Sequence, residues 1–238
     1  MSASSDLRIR LTLPRADFAL NVDLRLPGSG ITVLFGASGS GKTSVLRCVA
    51  GLERARPGLV AVDGEVWQDD AAQVFLPTHQ RALGYVFQEA SLFEHLDVLG
   101  NLRYGLKRAR SAQAGATLQA AIELLGIGRL LQRRPGQLSG GERQQLAFAR
   151  ALMPSPRIMV LDEPTAALAP SLVGKVFDMV QKLPAAGVAV LMVEQRARQA
   201  LQISQQGYIL DQGSCVLQGP AQGLLADERM AQLYLGNH

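Results

Sequence analysis

Hydrophobic and polar residues alternate in two segments near the start of the chain. Apolar side chains occupy every second position over residues 7–13 and again over 20–26, with polar side chains between them. This period of two is typical of strands that bury one face and leave the other in water. Residues 14–17 separate the two segments, so the pattern predicts an antiparallel hairpin.

Five later segments are short and apolar, and most of them show no alternation. They span residues 31–35, 84–87, 158–161, 188–193 and 208–210. Strands that are covered on both faces have this character. Helical patterns separate several of these segments, so we predict a mostly parallel sheet with helices on its faces.

Two other segments carry apolar residues at helical spacing. One set comprises Val173, Val176, Phe177 and Val180, and the other comprises Leu118, Ile122 and Leu125. The second helix is predicted to end at Gly126. Strand signals are missing between residues 88 and 137, which predicts a helical subdomain inserted into the α/β core. The predicted organisation is one domain, 1–238, with the core and antiparallel sheet in 1–87 and 138–238.

Composition places the chain among globular proteins of the cytoplasm. The 238 residues are 47% hydrophobic and 18% charged, and no stretch approaches the ~20 apolar residues of a membrane span. The first residues lack the apolar core of a signal peptide. A net charge of +4 gives no argument for a nucleic-acid partner. Cys48 and Cys215 lie far apart without metal-ligand spacing, so we expect reduced thiols.

The segment GASGSGKT at 36–43 follows a predicted strand and precedes a predicted helix. It matches the phosphate-binding pattern G-x-x-x-x-G-K-[ST], in which backbone N–H groups surround phosphate oxygens. The predicted nucleotide-binding residues are Gly36, Ala37, Ser38, Gly39, Ser40, Gly41, Lys42, Thr43 and Ser44. Lys42 is expected to reach the β- and γ-phosphates and Thr43 to bind Mg²⁺. The competing interpretation is a Gly-Ser turn without a ligand.

A second candidate site is IMVLDEP at 158–164, where a buried strand ends on two carboxylates. Asp162 is placed to hold Mg²⁺ through water, and Glu163 to orient and deprotonate the attacking water. Alone, such a pair would be read as an acidic helix start. Together with the phosphate loop it predicts phosphoryl transfer.

The segment LSGGERQQ at 138–145 contains a capping box, because Ser139 is followed three residues later by Glu142. The simplest interpretation is a helix cap. Gly140 and Gly141 exceed what a cap requires, and small residues at a helix N-terminus make a second anion site.

These motifs, in the order GASGSGKT, Gln88, LSGGERQQ and IMVLDEP, resemble those of ATP-binding cassette (ABC) ATPases over nearly the whole chain. The resemblance implies a P-loop NTPase (RecA-like) core, ATP and Mg²⁺ as ligands, and a head-to-tail dimer with a second cassette. It implies transmembrane permease subunits as partners, at the inner face of the cell membrane. The residues that would bind the partner's nucleotide are Ser139, Gly140, Gly141 and Glu142.

The same resemblance assigns three further roles. Gln88 matches the family's Q-loop glutamine, which touches Mg²⁺ or the attacking water. Phe18 is the candidate for the aromatic that stacks on adenine, although it could equally be a core residue. Gln195 occupies the position of the family's switch histidine, and Ala169 that of an aspartate. Glutamine cannot carry a proton near neutral pH, so slow hydrolysis by a homodimer is expected.

The two halves resemble different relatives. Up to about residue 137 the chain resembles the ATPase of molybdate importers, and from residue 138 onward, including AQLYLG at 231–236, that of branched-chain amino-acid importers. A mosaic with a seam at 135–138 is one explanation, and molybdate or a similar oxyanion is the favoured substrate. The alternatives are a branched-chain amino-acid importer ATPase, a nucleotide-gated module with little turnover, a cassette that meets no membrane, and a small-molecule kinase.

Overall fold

The computed structural model describes residues 6–14, 18–107, 114–166, 168–227 and 230. The strands are β1 (Asp6–Pro14), β2 (Ala19–Pro27), β3 (Ile31–Phe35), β4 (Gly58–Val62), β5 (Glu65–Asp69), β6 (Val74–Phe75), β7 (Leu83–Val86), β8 (Ile158–Asp162), β9 (Ala189–Val193), β10 (Gln206–Asp211) and β11 (Ser214–Pro220). The helices are α1 (Lys42–Ala50), α2 (Val98–Leu106), α3 (Ala114–Leu125), α4 (Gly140–Leu152), α5 (Pro170–Lys182), α6 (Ala197–Gln202) and α7 (Ala221–Ala226). The AQLYLG stretch lies outside the described residues.

The chain forms two compact units. The first comprises residues 1–81 and 189–238, and the second residues 82–188. In the first unit an antiparallel sheet has the order β2-β1-β4-β5-β6. Leu7 pairs with Leu26 and Leu13 with Leu20, so the predicted hairpin is confirmed. Its apolar residues are buried with one exception, because Leu13 near the turn is half-buried.

A second set of strands in the first unit leads to the phosphate loop. β10, β3 and β9 run parallel, and β11 pairs antiparallel with β10. Every residue of β3 and β9 is buried, as expected for strands whose sequences are apolar apart from Thr32 in β3. Parallel strands bring their carboxyl ends to one edge, so the residues after β3 and after β9 lie at the same edge.

The second unit combines the parallel pair β7 and β8 with helices α2 to α5. α4 packs against α2, α3 and α5. The predicted stripe on α5 is confirmed, because Val173, Val176, Phe177 and Val180 are all buried. α3 ends at Leu125, and Gly126 follows with a φ of 65°. The helices α2 and α3 fall within 88–137, but the subdomain boundary itself stays a prediction.

Parallel strands, antiparallel strands and helices occur as the α/β prediction requires. Cys48 and Cys215 are both free thiols. Within the described ranges, no helix is both long enough and apolar enough to cross a bilayer.

Candidate functional site: the phosphate loop, the carboxylate pair and the signature helix

The loop from Gly36 to Gly41 joins the buried strand β3 to α1. Gly36 and Gly41 have φ values of 151° and 99°, which L side chains rarely adopt. A Cβ on Gly36 would collide with the carbonyl oxygen of Leu210, so only glycine fits there. Residues 37–39 are exposed and α1 begins at Lys42. The loop therefore presents backbone to solvent at a helix N-terminus, where anions bind favourably.

The Lys42 ammonium group lies inside the loop. Its Nζ donates hydrogen bonds to the carbonyl oxygens of Gly36 at 2.9 Å and Ala37 at 2.7 Å, and contacts Ser40 Oγ at 3.3 Å. Lys42 is only 7% exposed, whereas Thr43 is exposed and Ser44 is half-buried. A largely buried ammonium group that is held by oxygen atoms of a loop at a helix N-terminus is well placed to bind an anion.

Phe18 lies against the phosphate loop. A Cβ on Gly41 would come within 3.3 Å of its Cε2, and a Cβ on Gly213 within 2.7 Å of its Cδ2. Gly213 also donates its N–H to the Ser40 carbonyl oxygen at 3.2 Å and accepts from the Asn21 N–H at 2.7 Å. The β10–β11 turn thus connects the phosphate loop to β2, next to the half-buried ring of Phe18. The adenine-stacking role of Phe18 remains a prediction.

In the second unit, β8 ends at the predicted carboxylate pair. Asp162 is 8% exposed, and its Oδ2 accepts a hydrogen bond from the Tyr85 hydroxyl at 3.0 Å. Glu163 follows with a φ of 47°, a left-handed conformation that is uncommon for residues other than glycine. Glu163 is the first residue after β8, and backbone strain of this kind concentrates at functional sites.

Gln88 and the signature residue Gly140 line one open groove of the second unit. Gln144 and Pro164 line the same groove, and the Gln144 amide donates to the Pro164 carbonyl oxygen at 3.0 Å. This bond ties the signature helix α4 to the turn that carries Glu163. The structure therefore brings the glutamine and signature segments, predicted separately, to one surface.

The predicted capping box is present at the start of α4. Ser139 donates from its N–H and its hydroxyl to Glu142 Oε2 at 2.9 and 3.0 Å, and its Oγ accepts from the Glu142 N–H at 3.3 Å. The bond from the Ser139 N–H, followed by that from its hydroxyl, holds the pKa of Glu142 below its usual range. Gly140 is exposed, and a Cβ on Gly141 would approach Leu172 Cδ2 to 3.1 Å. The predicted helix cap is therefore confirmed. The role of these residues in binding the nucleotide of a second cassette remains a prediction.

The two departures from the family pattern both lie at exposed positions. Gln195 follows β9, and its N–H donates to the buried Glu194 carboxylate at 3.1 Å. Ala169 precedes α5 and supplies no side-chain cap to that helix. Neither position offers an ionisable group.

Three side chains near these motifs were not predicted from the sequence. Tyr85 binds Asp162, Gln144 binds the Pro164 carbonyl oxygen, and the Arg150 guanidinium donates to the Ser91 carbonyl oxygen at 2.9 Å. The ring of Phe93 lies 5.2 Å from the same guanidinium. Gln144 belongs to the segment LSGGERQQ, so the sequence already gave a signal that could have marked it as a candidate functional residue. Tyr85 and Arg150 carried no local signal, because their partners are distant in sequence.

The available oxygen ligands suit Mg²⁺. Within the described ranges, no three His, Cys, Asp or Glu side chains are grouped to hold a metal ion. Mg²⁺ in nucleotide sites uses one or two carboxylates together with substrate phosphates and water, so a full protein cage is not needed. In the second unit, Asp162 supplies a carboxylate whose Oδ2 accepts a hydrogen bond, and Gln88 offers an amide oxygen. The Thr43 hydroxyl belongs to the first unit, and its share in a metal site remains a prediction.

Comparison with known proteins gives consistent matches. Residues 19–166 match the family model described as ABC transporter. The molybdenum import ATP-binding protein ModC 1 of Azotobacter vinelandii is 50% identical over 221 residues, covering 92% of this chain and 61% of that protein. The molybdenum import ATP-binding protein ModC of Thiobacillus denitrificans is 51% identical, covering 92% of this chain and 60% of that protein. The chain spans about three fifths of the length of these relatives.

Solved structures agree with the fold. A dimeric bacterial ABC transporter cassette is 26% identical with a TM-score of 0.73, covering 90% of this chain and 98% of that one. An ATP-binding cassette in its ADP conformation is 23% identical with a TM-score of 0.79 over 98% and 99%, which supports the fold alone. The predicted P-loop NTPase fold is confirmed. The ModC matches cover 92% of the chain, across residues 135–138, and give no support to a mosaic. The chain belongs to the ABC transporter family.

Proposed function

We propose that this chain binds Mg-ATP and hydrolyses it as one subunit of a cassette dimer that drives import of molybdate or a similar oxyanion. The observation that carries the proposal is the Lys42 ammonium group held inside a glycine-shaped phosphate loop. The choice of substrate rests on about 50% identity to molybdenum import ATP-binding proteins along 92% of the chain.

The loop residues supply the nucleotide site. Phosphate oxygens would replace the carbonyl oxygens of Gly36 and Ala37 as partners of Lys42, because an ammonium–phosphate bond is stronger than one to a neutral carbonyl. Thr43 and Ser44 lie at the first turn of α1, where their hydroxyl groups and the helix N-terminus favour negative charge. Phe18 provides the apolar face for the base.

Asp162, Gln88 and Thr43 would hold the metal of the bound nucleotide. Bound with the nucleotide, Mg²⁺ would supply positive charge that offsets the negative charge developing on the phosphate during transfer. Glu163 follows Asp162 and would accept a proton from the attacking water. Its left-handed backbone turns it away from the strand direction, so the two adjacent carboxylates serve different roles.

The signature residues act on the nucleotide of a second cassette. The Ser139 hydroxyl and the N–H groups of the first turn of α4 form an anion site whose geometry is held by Glu142. A related cassette has been solved twice as a dimer, once in a post-hydrolysis state bound to ADP and Pi. We propose the same use here, with permease subunits at the inner face of the membrane as further partners.

A second candidate is a nucleotide-gated module with little turnover. The exposed Gln195 and Ala169 favour it, since neither carries the charge that the family uses at these positions. Losing one charge-stabilising contact typically costs about 10²–10³ in rate. Intact Glu163 favours hydrolysis, so we place this module second, together with a branched-chain amino-acid importer ATPase.

The first experiment measures steady-state ATPase activity over a series of protein concentrations, beside the Glu163→Gln variant. We expect activity that rises faster than linearly with concentration and is lost in the variant, because two half-sites must meet and Glu163 is the base. Activity equal to that of the variant, in protein that still binds ATP, would instead favour the low-turnover module.

Substrate choice is tested by transport. The chain is expressed in cells that lack their own molybdenum import ATP-binding protein, and accumulated molybdenum is measured, with Lys42→Ala as the negative control. Restored accumulation in the wild type alone supports the oxyanion assignment. The alternative result is restored leucine uptake in cells that lack a branched-chain amino-acid importer ATPase, without molybdenum accumulation. It would replace the oxyanion assignment with a branched-chain amino-acid importer.

A further inference from the structure

The tyrosine of GYVFQ lies beside the metal-binding carboxylate although the two are 77 positions apart in the chain. Tyr85 is on β7, and its register partner on the parallel strand β8 is Val160. Side chains two positions apart point to the same face, so Asp162 lies on the face of Val160 and of Tyr85. The phenol is long enough to reach one residue pair along the sheet, and its hydroxyl donates to Asp162 Oδ2 at 3.0 Å.

The bond restricts the carboxylate. A carboxylate at a strand end can rotate about its terminal torsion, which is broad for aspartate. A donor on Oδ2 favours one orientation of the carboxylate, because the hydrogen bond is lost when the group rotates away from the Tyr85 hydroxyl. Groups that orient a metal ligand in this way are often as important for metal affinity as the ligand itself.

The tyrosine is itself held in place. Its ring centroid lies 4.3 Å from that of Phe87, with the two planes tilted by 35°. Phe87 directly precedes Gln88, and its side chain is 38% exposed. Tyr85 on β7 and Phe87 just after it thus link the segment that leads to Gln88 with the carboxylate at the end of β8.

We propose that Tyr85 is a positioning residue for metal binding, which fixes the Asp162 carboxylate through Oδ2 and connects its orientation to the segment after β7 that carries Gln88. This inference rests on the proposed function, since it requires that the chain binds nucleotide with Mg²⁺. A tyrosine that served only to pack would affect folding and leave the metal dependence of nucleotide binding unchanged.

The test compares Tyr85→Phe with Tyr208→Phe, both in a Glu163→Gln background that prevents turnover. Tyr85→Phe keeps the ring on Phe87 and removes only the hydroxyl. Tyr208 is a matched control, because its hydroxyl donates to the backbone oxygen of Arg25 at 2.6 Å and contacts no proposed metal ligand. Binding of a fluorescent ATP analogue is titrated against buffered Mg²⁺ and repeated in excess EDTA, and melting curves without nucleotide confirm folding.

We expect Tyr85→Phe to raise the Mg²⁺ concentration that half-saturates binding by about tenfold. Affinity in EDTA and the half-saturation of Tyr208→Phe should match those of the parent. In an Asp162→Asn background the same Tyr85→Phe change should have no further effect, which separates action through Asp162 from a diffuse loss of stability.

The outcomes separate this inference from the function on which it rests. Equal Mg²⁺ dependence in Tyr85→Phe and Tyr208→Phe, with Mg²⁺-dependent binding in the parent, overturns the role of Tyr85 alone. A parent that binds the analogue without any dependence on Mg²⁺ overturns the proposed function as well. An equal effect of Tyr85→Phe with and without Asp162 also overturns the inference.

Discussion

Arg81 joins the end of the phosphate-loop helix to the antiparallel sheet, and its removal should destabilise the first unit. The residue is 5% exposed, and its guanidinium donates to the carbonyl oxygens of Val49 at 2.6 Å, Cys48 at 2.9 Å and Leu76 at 2.8 Å. Cys48 and Val49 lie in the last turn of α1, where helix carbonyl groups need partners from outside the helix. The Cys48 carbonyl oxygen also accepts from the Gly51 N–H at 3.0 Å, so loss of Arg81 mainly affects the acceptors of Val49 and Leu76. The positive charge of Arg81 also interacts favourably with the negative, C-terminal end of the α1 helix dipole.

The size of the effect follows from these bonds. Replacing Arg81 with Met leaves buried acceptors without their donor, and each such acceptor costs about 1–3 kcal/mol. The variant no longer buries a charge, which offsets part of that cost. Burial lowers the pKa of Arg81 to about 10, so the side chain is still charged at neutral pH. We expect a loss of about 3 kcal/mol in the free energy of unfolding.

The control is Arg54→Met. Arg54 lies 4.8 Å over the ring of Phe75, which Arg81 also contacts at 5.2 Å, and pairs with Asp70 at 2.6 Å. Its side chain is 35% exposed, so the same truncation should cost less than about 1 kcal/mol.

Urea unfolding of the full chain provides the assay. The single tryptophan, Trp67, is fully buried in the first unit and reports its unfolding by fluorescence. Circular dichroism is recorded in parallel, because Arg81 lies 5.8 Å from the indole ring and its loss can change emission directly. Equal losses in the two variants, or a loss below about 1 kcal/mol in Arg81→Met, would refute the reasoning.

Three further results are expected. Phe18→Ala should weaken ATP binding about tenfold while Phe18→Trp keeps it, since base stacking on an aromatic ring contributes about 1–3 kcal/mol; an unchanged dissociation constant would exclude Phe18 as the platform. Gln195→His should raise ATP turnover by about 10² at neutral pH, because it restores a group that can carry charge near the γ-phosphate; unchanged turnover would make glutamine an adequate switch. Because hydrogen bonds from Ser139 lower the pKa of Glu142, its contribution to stability is present at neutral pH and lost as pH falls through the folded pKa. The melting-temperature difference between wild type and Glu142→Gln should therefore shrink in acid, and a constant difference would contradict this assignment.

The elements that could be predicted from the sequence are those whose cause is local. β3 has the bounds of its predicted segment because a strand with apolar side chains on both faces is stable only when both faces are covered. Ser139 begins α4 because its own side chain and Glu142 satisfy the first N–H groups. The phosphate loop has its predicted shape because Gly36 and Gly41 admit backbone angles that other residues avoid.

Interactions between distant segments could not be predicted in this way. The Tyr85 hydroxyl reaches Asp162 only because β7 and β8 are neighbours in register, and strand order is not encoded in either segment. The turn at Gly213 contacts Phe18 and Ser40 for a similar reason, since β10 lies next to β3. The left-handed Glu163 lacks a sequence signal, because glutamate has no intrinsic preference for that conformation.

Segments on the two sides of residues 135–138 contact one another. Arg150, after the proposed seam, donates to the Ser91 carbonyl oxygen before it, and Gln145 donates to the Leu125 carbonyl oxygen at 3.2 Å. A Cβ on Gly105 would approach Met153 Cβ to 2.8 Å, so α2 and the end of α4 pack closely. Both acceptors are backbone carbonyl oxygens, which any cassette of the same fold can supply, so these contacts require a shared fold on the two sides rather than one particular parent. What bears on a seam is therefore the sequence similarity, and the ModC matches run across residues 135–138 and give no support to a joint there.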